Sequence, residues 1–232
     1  MSVIMECREL TKNYGNLRAL NNINLSLETG RIVGLLGPNG SGKTTLLKIA
    51  NGLLQPSFGE LLLDGKKPGP ETKGIVSYLP DANYLMDWMD VKSLVAMFAD
   101  FYPDFDVPKA IDMIERLNIQ GEAPLKTLSK GTKEKVQLIL AMSRNAKIYF
   151  LDEPIGGVDP ASRDYILDTI INNYSEDALV VISTHLIADI ERMLDEAVLI
   201  NNGNVVAHRT VDDIRETEGK SVDEYFREVF RC

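Results

Sequence analysis

The sequence predicts an α/β fold built on a mainly parallel, buried sheet, because short apolar runs alternate along the chain with amphipathic helical patterns. The apolar runs have the length of strands, and polar turns separate them from the helical segments. Two turn sequences, DG at 64–65 and NNGN at 201–204, predict hairpins, so antiparallel strands should flank the parallel sheet. In chain order, we predict the parallel strands at residues 32–36, 75–79, 148–151, 179–183 and 198–200.

A stretch without strand-like runs, residues 81–145, interrupts this alternation. Its segment FDVPKAIDMIERLNI has the spacing of an amphipathic helix, with an apolar face made of Val107, Ile111, Ile114 and Leu117. A second helix should begin near Ser129 or Thr132, the N-cap candidates, and bury Val136, Ile139, Leu140 and Ser143. We therefore predict a helical subdomain at 81–145, inserted into a core of residues 1–80 and 146–232, with the whole chain forming a single domain.

The composition of the chain indicates a globular protein and limits which partners and compartments are expected. Its 232 residues, 44% of them hydrophobic, are enough for a packed core, and the formal charge of −9 disfavours nucleic acid as a partner. Cys7 and Cys232 match no metal or redox spacing, which indicates a reducing compartment such as the cytoplasm. The longest apolar runs reach only strand length, so we expect no segment that spans a bilayer.

A glycine-rich loop, GPNGSGKT at residues 37–44, follows the first predicted parallel strand and precedes a helical pattern. The spacing G-x-x-x-x-G-K-T between a strand and a helix is the P-loop, whose backbone N–H groups approach phosphates at a helix N-terminus. A plain glycine-rich turn is the alternative, but the strand and helix on either side favour a P-loop NTPase (RecA-like) core. Lys43 would face the β- and γ-phosphates, and the Thr44 hydroxyl would ligate Mg²⁺. The predicted nucleotide-binding residues here are Gly37, Asn39, Gly40, Ser41, Gly42, Lys43, Thr44 and Thr45.

Polar residues also end two later predicted strands. In IYFLDEP, Asp152 is placed to hold the hydration shell of a metal, and Glu153 to polarise an attacking water. An acidic turn after a strand is the alternative, which the P-loop upstream weakens. In STH, His185 lies on the ligand side of a P-loop sheet and could donate a hydrogen bond to the γ-phosphate. A lone histidine can otherwise be a helix-start or core residue.

Taken in order, these motifs resemble one family. The chain shows Tyr14 in LTKNYG, the P-loop, LSKGT at 128–132, LDEP, a GVD loop ending at Asp159, and STH. This ordered set, which covers nearly the whole chain, resembles the ATP-binding cassette (ABC) proteins, specifically the nucleotide-binding subunits of ABC transporters. The resemblance implies that the chain binds ATP and Mg²⁺, that it hydrolyses ATP, and that Asp159 belongs to the nucleotide site. The ring of Tyr14 would stack on adenine, although an isolated aromatic could equally be a core residue.

The resemblance also implies partners. Two subunits of this family pair head to tail, so Ser129 and Gly131 would contact a γ-phosphate held by the P-loop of a second ABC ATPase subunit, in a homodimer or a heterodimer. Transport would require separate integral-membrane permease subunits, with this chain bound peripherally at the cytoplasmic face. The short tail after the NNGN turn favours a compact, export-type cassette. The alternative is a soluble ABC ATPase acting on nucleic acid or ribosomes, but the chain has neither long coiled coils nor a second cassette. A small GTPase would need an N-K-x-D element, which does not occur.

Two departures from the family pattern stand out. The usual LSGGQ signature has Lys130 and Thr132 in place of its first paired glycine and its glutamine. In VSYLPDANYL, Asp81 occupies the slot of the Q-loop glutamine, which in the family senses Mg²⁺ and the attacking water. An ionised aspartate only accepts hydrogen bonds and is a hard metal ligand. We therefore expect Asp81 to keep a metal-linked or partner-linked role; the alternative is a solvated loop acid.

Overall fold

The computed structural model describes residues 2–230, without the side chains of residues 160 and 161; Cys232 lies outside this range. Its strands are β1 (Val3–Tyr14), β2 (Leu17–Glu28), β3 (Arg31–Leu36), β4 (Phe58–Leu63), β5 (Val76–Leu79), β6 (Ile148–Asp152), β7 (Leu179–Thr184), β8 (Glu196–Asn201) and β9 (Asn204–Thr210). Its α-helices are α1 (Lys43–Ala50), α2 (Pro70–Lys73), α3 (Val91–Phe101), α4 (Val107–Arg116), α5 (Lys130–Met142), α6 (Pro160–Asn173), α7 (Ile187–Ile190), α8 (Val211–Glu218) and α9 (Val222–Val229). Short 3₁₀ turns lie at Leu125–Thr127 and Glu191–Met193.

The main sheet has six strands in the spatial order β5-β6-β7-β3-β8-β9. Neighbours pair in parallel from β5 to β8, and the edge strand β9 runs antiparallel to β8. Every residue of β6 and β7 is buried, as expected for a parallel sheet covered on both faces. The predicted α/β class is confirmed, and the ends of all five predicted parallel strands lie within two residues of their expected positions.

A second, antiparallel sheet has the order β2-β1-β4. The NNGN hairpin between β8 and β9 is confirmed, with φ of 46° at Asn202 and 75° at Gly203, values that these two residue types adopt readily. The predicted hairpin at residues 64–65 is wrong in part. Its turn closes only a single bridge between Leu63 and Lys66, because β4 pairs with β1 instead of with the segment that follows it.

The long hairpin formed by β1 and β2 was not among the predicted strands. The pairing register between its strands shifts at several points, and Glu9, with φ of 50°, breaks the alternation of β1. In β2, however, the alternating Ile23, Leu25 and Leu27 are buried. That period-two pattern is the signal from which the strand could have been predicted.

Helices α3, α4 and α5 lie between residues 81 and 145 and pack around an apolar cluster of their own. All four residues predicted for the inner face of the second helix are buried, three of them in α5 and Ser143 at its C-cap. The predicted face of α4 is wrong at Ile111, which is 44% exposed, because α4 instead buries Ala110, Met113 and Ile114. Among residues 2–230, no helix has both the length and the apolar character needed to cross a membrane.

The carboxyl ends of β3, β6 and β7 bring three polar loops to one edge of the main sheet. Strand β7 lies between β6 and β3, with Leu36 opposite Thr184 and Asp152 opposite Ser183. Ligands of open α/β sheets bind outside these strand ends. The loops after the three strands therefore meet where a ligand is expected.

Candidate active site

The loop at residues 37–44 joins β3 to α1 and has no room for a side chain at two of its glycines. A Cβ atom at Gly37 would lie 2.3 Å from the carbonyl oxygen of Ile200, and one at Gly42 would lie 2.6 Å from that of Ala19. Gly42 also has φ of 113°, which residues with side chains rarely adopt. The loop backbone thus lies against β8 and β2 and leads directly into α1, the setting in which helix N-termini bind anions.

The other loop residues differ in exposure. Asn39 and Gly40 are exposed, whereas Thr45 is half-buried in the first turn of α1. Ser41 is buried, and its Oγ has no hydrogen-bond partner within the described chain. Its carbonyl oxygen accepts a hydrogen bond from the N–H of Gly203 at 2.9 Å, which ties the loop to the β8–β9 turn.

Lys43 places a buried cation inside the loop, with its side chain only 5% exposed. Its Nζ donates to the carbonyl oxygens of Gly37 at 2.8 Å and Pro38 at 3.2 Å, and it lies 3.7 Å from Oε1 of Glu153. Burial lowers the pKa of Lys43, while the charges of Glu153 and Asp152 act in the opposite direction. The carboxylates therefore help to keep this lysine protonated.

Asp152, at the end of β6, is the central acceptor of the site. Its Oδ1 accepts hydrogen bonds from the hydroxyls of Thr44 at 3.1 Å and Ser183 at 2.5 Å. Its Oδ2 is buried and has no partner in the described part of the chain. Burial raises the pKa of Asp152, the two hydroxyl hydrogen bonds lower it, and the charge of Asp81 raises it further. Ser183 was not among the predicted site residues; its position on β7, opposite Asp152 in register, is a tertiary feature.

Glu153 follows in a left-handed backbone conformation, with φ of 49°. Such conformations in residues other than glycine are strained and cluster at functional sites. Its N–H donates to the carbonyl oxygen of Ser183 at 2.9 Å. Its Oε2 accepts a hydrogen bond from the Thr184 hydroxyl at 3.2 Å and lies 3.0 Å from Nδ1 of His185. Glu153 and His185, which were predicted separately, are therefore in direct contact.

A cavity of about 110 Å³, here called the acidic cavity, adjoins this cluster, and its lining includes Asp81, Asn83, Lys130, Gln137, Asp152 and Glu153. Asp81 is exposed and faces the same cavity as the two strand-end carboxylates. Within residues 2–230, no three His, Cys, Asp or Glu side chains are grouped so that they could hold a metal ion by themselves. A divalent cation here would need oxygen ligands from a bound phosphate as well.

Two residues predicted to contact a γ-phosphate lie at the start of α5, apart from the P-loop of the same chain. Ser129 is the N-cap of this helix, and its exposed hydroxyl accepts a hydrogen bond from the N–H of Thr132 at 3.2 Å. Gly131 faces open space, since a Cβ there would meet no atom within 4 Å. Between residues 2 and 230, no hydrogen bond or ion pair joins Ser129 or Gly131 to the loop at 37–44.

Tyr14 and Asp159 also make no such contact with the P-loop in the described chain. Tyr14, the last residue of β1, is 44% exposed, and Nζ of Lys12 lies 5.3 Å from the centre of its ring. Asp159 is the N-cap of α6, where its carboxylate accepts a hydrogen bond from the N–H of Ser162 at 3.1 Å. The hydrogen bond from Ser162 lowers the pKa of Asp159, which keeps this carboxylate ionised.

A larger cavity of about 480 Å³, here called the lateral groove, lies between the end of α1, strand β5 and helix α3. Its lining includes Leu53, Tyr78, Tyr84, Phe98, Tyr102 and Arg144. Leu53 is 58% exposed and Tyr84 is 43% exposed. Apolar and aromatic surface is thus accessible in the groove, as at binding sites for proteins or small molecules.

A glycine-rich phosphate loop beside an acidic strand end, at one edge of a parallel sheet, defines a P-loop nucleoside triphosphatase. The family model described as ABC transporter matches residues 20–156, more than half of the chain. The chain is also 32% identical over 216 residues to the ABC transporter ATP-binding protein YtrB of Bacillus subtilis (strain 168), covering 92% of this chain and 74% of that protein. The chain therefore belongs to the ABC transporter family, as an ATP-binding subunit that hydrolyses ATP.

Two further comparisons agree with this assignment. The Nod factor export ATP-binding protein I of Cupriavidus metallidurans is 27% identical over 227 residues, with 94% of this chain and 75% of that protein covered. A solved structure of an ATP-binding subunit of an ABC transporter superimposes with a TM-score of 0.88 at 28% identity, covering 98% of this chain and 100% of that one. The match to the solved subunit extends over both sheets and the helical segment at 81–145.

Proposed function

We propose that this chain is the ATPase subunit of an ABC exporter, in which paired subunits close around ATP and Mg²⁺ and drive substrate through separate integral-membrane permease subunits. One observation carries the proposal: Lys43, Asp152 and Glu153 meet at one sheet edge, while Ser129 and Gly131 lie apart and open. Export is supported by the similarity to a Nod factor export protein. The proposal places the chain at the cytoplasmic face of the membrane, with 81–145 as its helical subdomain.

The P-loop residues are proposed to bind the β- and γ-phosphates. Lys43, which donates to two loop carbonyls, would exchange them for phosphate oxygens, because charged acceptors form the stronger hydrogen bonds. The donor set fits Mg²⁺: the Thr44 hydroxyl lies beside Asp152, whose Oδ2 is unpartnered in the described chain. When bound, Mg²⁺ neutralises charge on the phosphate oxygens. Asp81 is proposed to face the hydrated side of this site.

Glu153 is proposed to be the general base. Its carboxylate takes the proton of the water that attacks the γ-phosphorus, while the bond to the β-phosphate oxygen breaks and ADP leaves. Thr184 and His185 hold Oε2 of Glu153 and so orient this carboxylate. Nε2 of His185 is proposed to donate a hydrogen bond to the γ-phosphate.

The start of α5 is proposed to complete the site of a partner subunit. The Ser129 hydroxyl and the Gly131 N–H lie in the first turn of this helix, whose N-terminus carries partial positive charge. Lys130, Lys133 and Lys135 strengthen the local field around a γ-phosphate. In the same closed pair, Tyr14 stacks on adenine with its half-exposed ring, and Asp159 lies at the shared interface.

The Glu153→Gln variant, which should retain ATP, is expected to be a dimer in ATP and Mg²⁺ and a monomer in ADP. Light scattering during gel filtration measures the mass directly. Adding Gly131→Asp to this variant should prevent the dimer, because a carboxylate would face the γ-phosphate. Gly121→Asp is the matched control, since a Cβ there lies 3.9 Å from its nearest neighbour and outside α5. A Glu153→Gln protein that stayed monomeric, even with its membrane subunits present, would refute the paired arrangement.

The lateral groove is proposed to receive a cytoplasmic segment of the permease. Leu53→Arg would place an unpaired guanidinium in an apolar contact, which costs more than about 1.4 kcal/mol and should lower permease recovery at least about tenfold. Affinity capture from solubilised membranes measures this recovery. Val206→Arg, on the edge strand β9 and similarly exposed, is the control and should capture normally. Equal capture by Leu53→Arg and wild type would exclude the groove as the docking site.

A further inference from the structure

Gln137 is a buried polar residue of α5 that lines the acidic cavity. It is 3% exposed, and no group of the described chain donates a hydrogen bond to its amide oxygen Oε1. A buried amide oxygen without a donor is disfavoured, so native proteins nearly always supply one. The two flanking residues, Val136 and Leu138, are apolar and buried, so Gln137 is a buried polar side chain between two apolar ones.

Asp152 also lines this cavity, and its buried Oδ2 is a second acceptor without a donor in the described chain. Two other polar side chains of the lining already have partners. Asn83 accepts a hydrogen bond from the N–H of Leu85 at 2.9 Å, and Nζ of Lys130 lies 3.7 Å from Oε1 of Glu134. Gln137 and Asp152 therefore both line one small polar space, and each has a buried acceptor oxygen that lacks a donor in the described chain.

A water molecule has two O–H donors and matches this pair of acceptors. A cavity needs only about 10–15 Å³ of accessible volume for one water, and the acidic cavity offers about 110 Å³. We propose that Gln137 is a positioning residue of the ATPase site: its Oε1 accepts a hydrogen bond from a water whose other O–H donates to Oδ2 of Asp152. Gln137 thereby orients the hydration shell of the metal ion, and this inference rests on the role proposed above for Asp152.

A neutral amide suits this position for an electrostatic reason. Asp81, Glu134, Asp152 and Glu153 already bring four carboxylates to the cavity, and when ionised they only accept hydrogen bonds. The amide oxygen adds an acceptor for water without adding a fifth negative charge.

The test compares Gln137→Met, which keeps the side-chain volume but removes the acceptor, with Gln137→Glu, which keeps an oxygen acceptor. Mn²⁺ binding to the protein complexed with a non-hydrolysable ATP analogue is measured by electron paramagnetic resonance. Gln137→Met should weaken Mn²⁺ binding by about 10–100-fold, the usual effect of losing an outer-shell partner. Its affinity for the analogue without metal should be unchanged. Its kcat for ATP hydrolysis should fall, whereas its KM for ATP should stay at the wild-type value. Gln137→Glu should bind Mn²⁺ at least as tightly as wild type.

Two controls separate this inference from the proposal on which it rests. Ser143→Ala changes another buried polar residue next to α5, whose hydroxyl donates only to the Ile139 carbonyl oxygen, and should bind Mn²⁺ normally. Asp152→Asn should weaken Mn²⁺ binding strongly. If Asp152→Asn does so while Gln137→Met matches wild type, the role of Gln137 is refuted and the metal site stands. If Asp152→Asn has no effect, the metal site and the role of Gln137 are both refuted.

Discussion

ATP hydrolysis by the Glu153→Gln variant is expected to be slower than that of wild type by a factor of about 10²–10⁴, the contribution typical of a general base. Glutamine has nearly the shape of glutamate but no carboxylate to take the proton of the attacking water. Its side-chain oxygen can still contact Thr184 and His185, as Oε2 of Glu153 does. The site should therefore stay assembled and keep its affinity for ATP. Single-turnover phosphate release measures the rate, and equilibrium binding of labelled ATP measures the affinity.

Glu176→Gln provides the matched control for this experiment. Glu176 is an exposed glutamate in the loop before β7, so the same chemical change there should leave hydrolysis at the wild-type rate. Wild-type hydrolysis by Glu153→Gln would mean that a different group activates the water, and the proposed role of Glu153 would be rejected.

Replacing Arg144 by alanine is expected to lower the free energy of unfolding by about 3 kcal/mol, the lower end of the range for breaking a buried ion pair, because the Asp104 side chain is 24% exposed. The side chain of Arg144 is 3% exposed, and its Nε donates to both carboxylate oxygens of Asp104 at 2.8 and 2.9 Å. Its guanidinium carbon lies 3.8 Å from the ring centre of Tyr102, and Nη1 donates to the carbonyl oxygen of Val76 at 3.3 Å. Alanine would leave Asp104 without its cation and would remove the connection between β5 and the segment that precedes α4.

Denaturant unfolding followed by circular dichroism measures this loss, and thermal unfolding should show it as a lower Tm, by roughly 2–4 °C per kcal/mol. Arg116→Ala is the control. Arg116 pairs with Asp112 at 2.8 Å on the exposed face of α4, and such surface pairs contribute at most about 1 kcal/mol. A change of less than about 1 kcal/mol for Arg144→Ala would contradict the structural role assigned to this ion pair.

The P-loop, the LDEP strand end and the STH segment could all be located from the sequence. Each is a short motif whose residues act together because they are neighbours in the chain. Ser183 illustrates what such motifs miss: it belongs to STH, but its hydrogen bond to Asp152 depends on β7 lying beside β6. Gln137 illustrates the same limit, because a glutamine on a helix has no motif, and only the packing of α5 against the acidic cavity distinguishes it from a surface residue.

The sequence by itself determined the α/β class, the parallel strands and the glycine-rich loop. These features depend on local properties, namely apolar period, turn residues and the conformational freedom of glycine. The tertiary structure alone decided the strand order β6-β7-β3, the pairing of β4 with β1, and the buried side of α4. Those outcomes depend on packing and strand pairing between segments that are far apart in the sequence. The site is assembled by the same long-range fit: Thr44 meets Asp152 across 108 residues of chain because the strands that carry their loops end at one edge of the sheet.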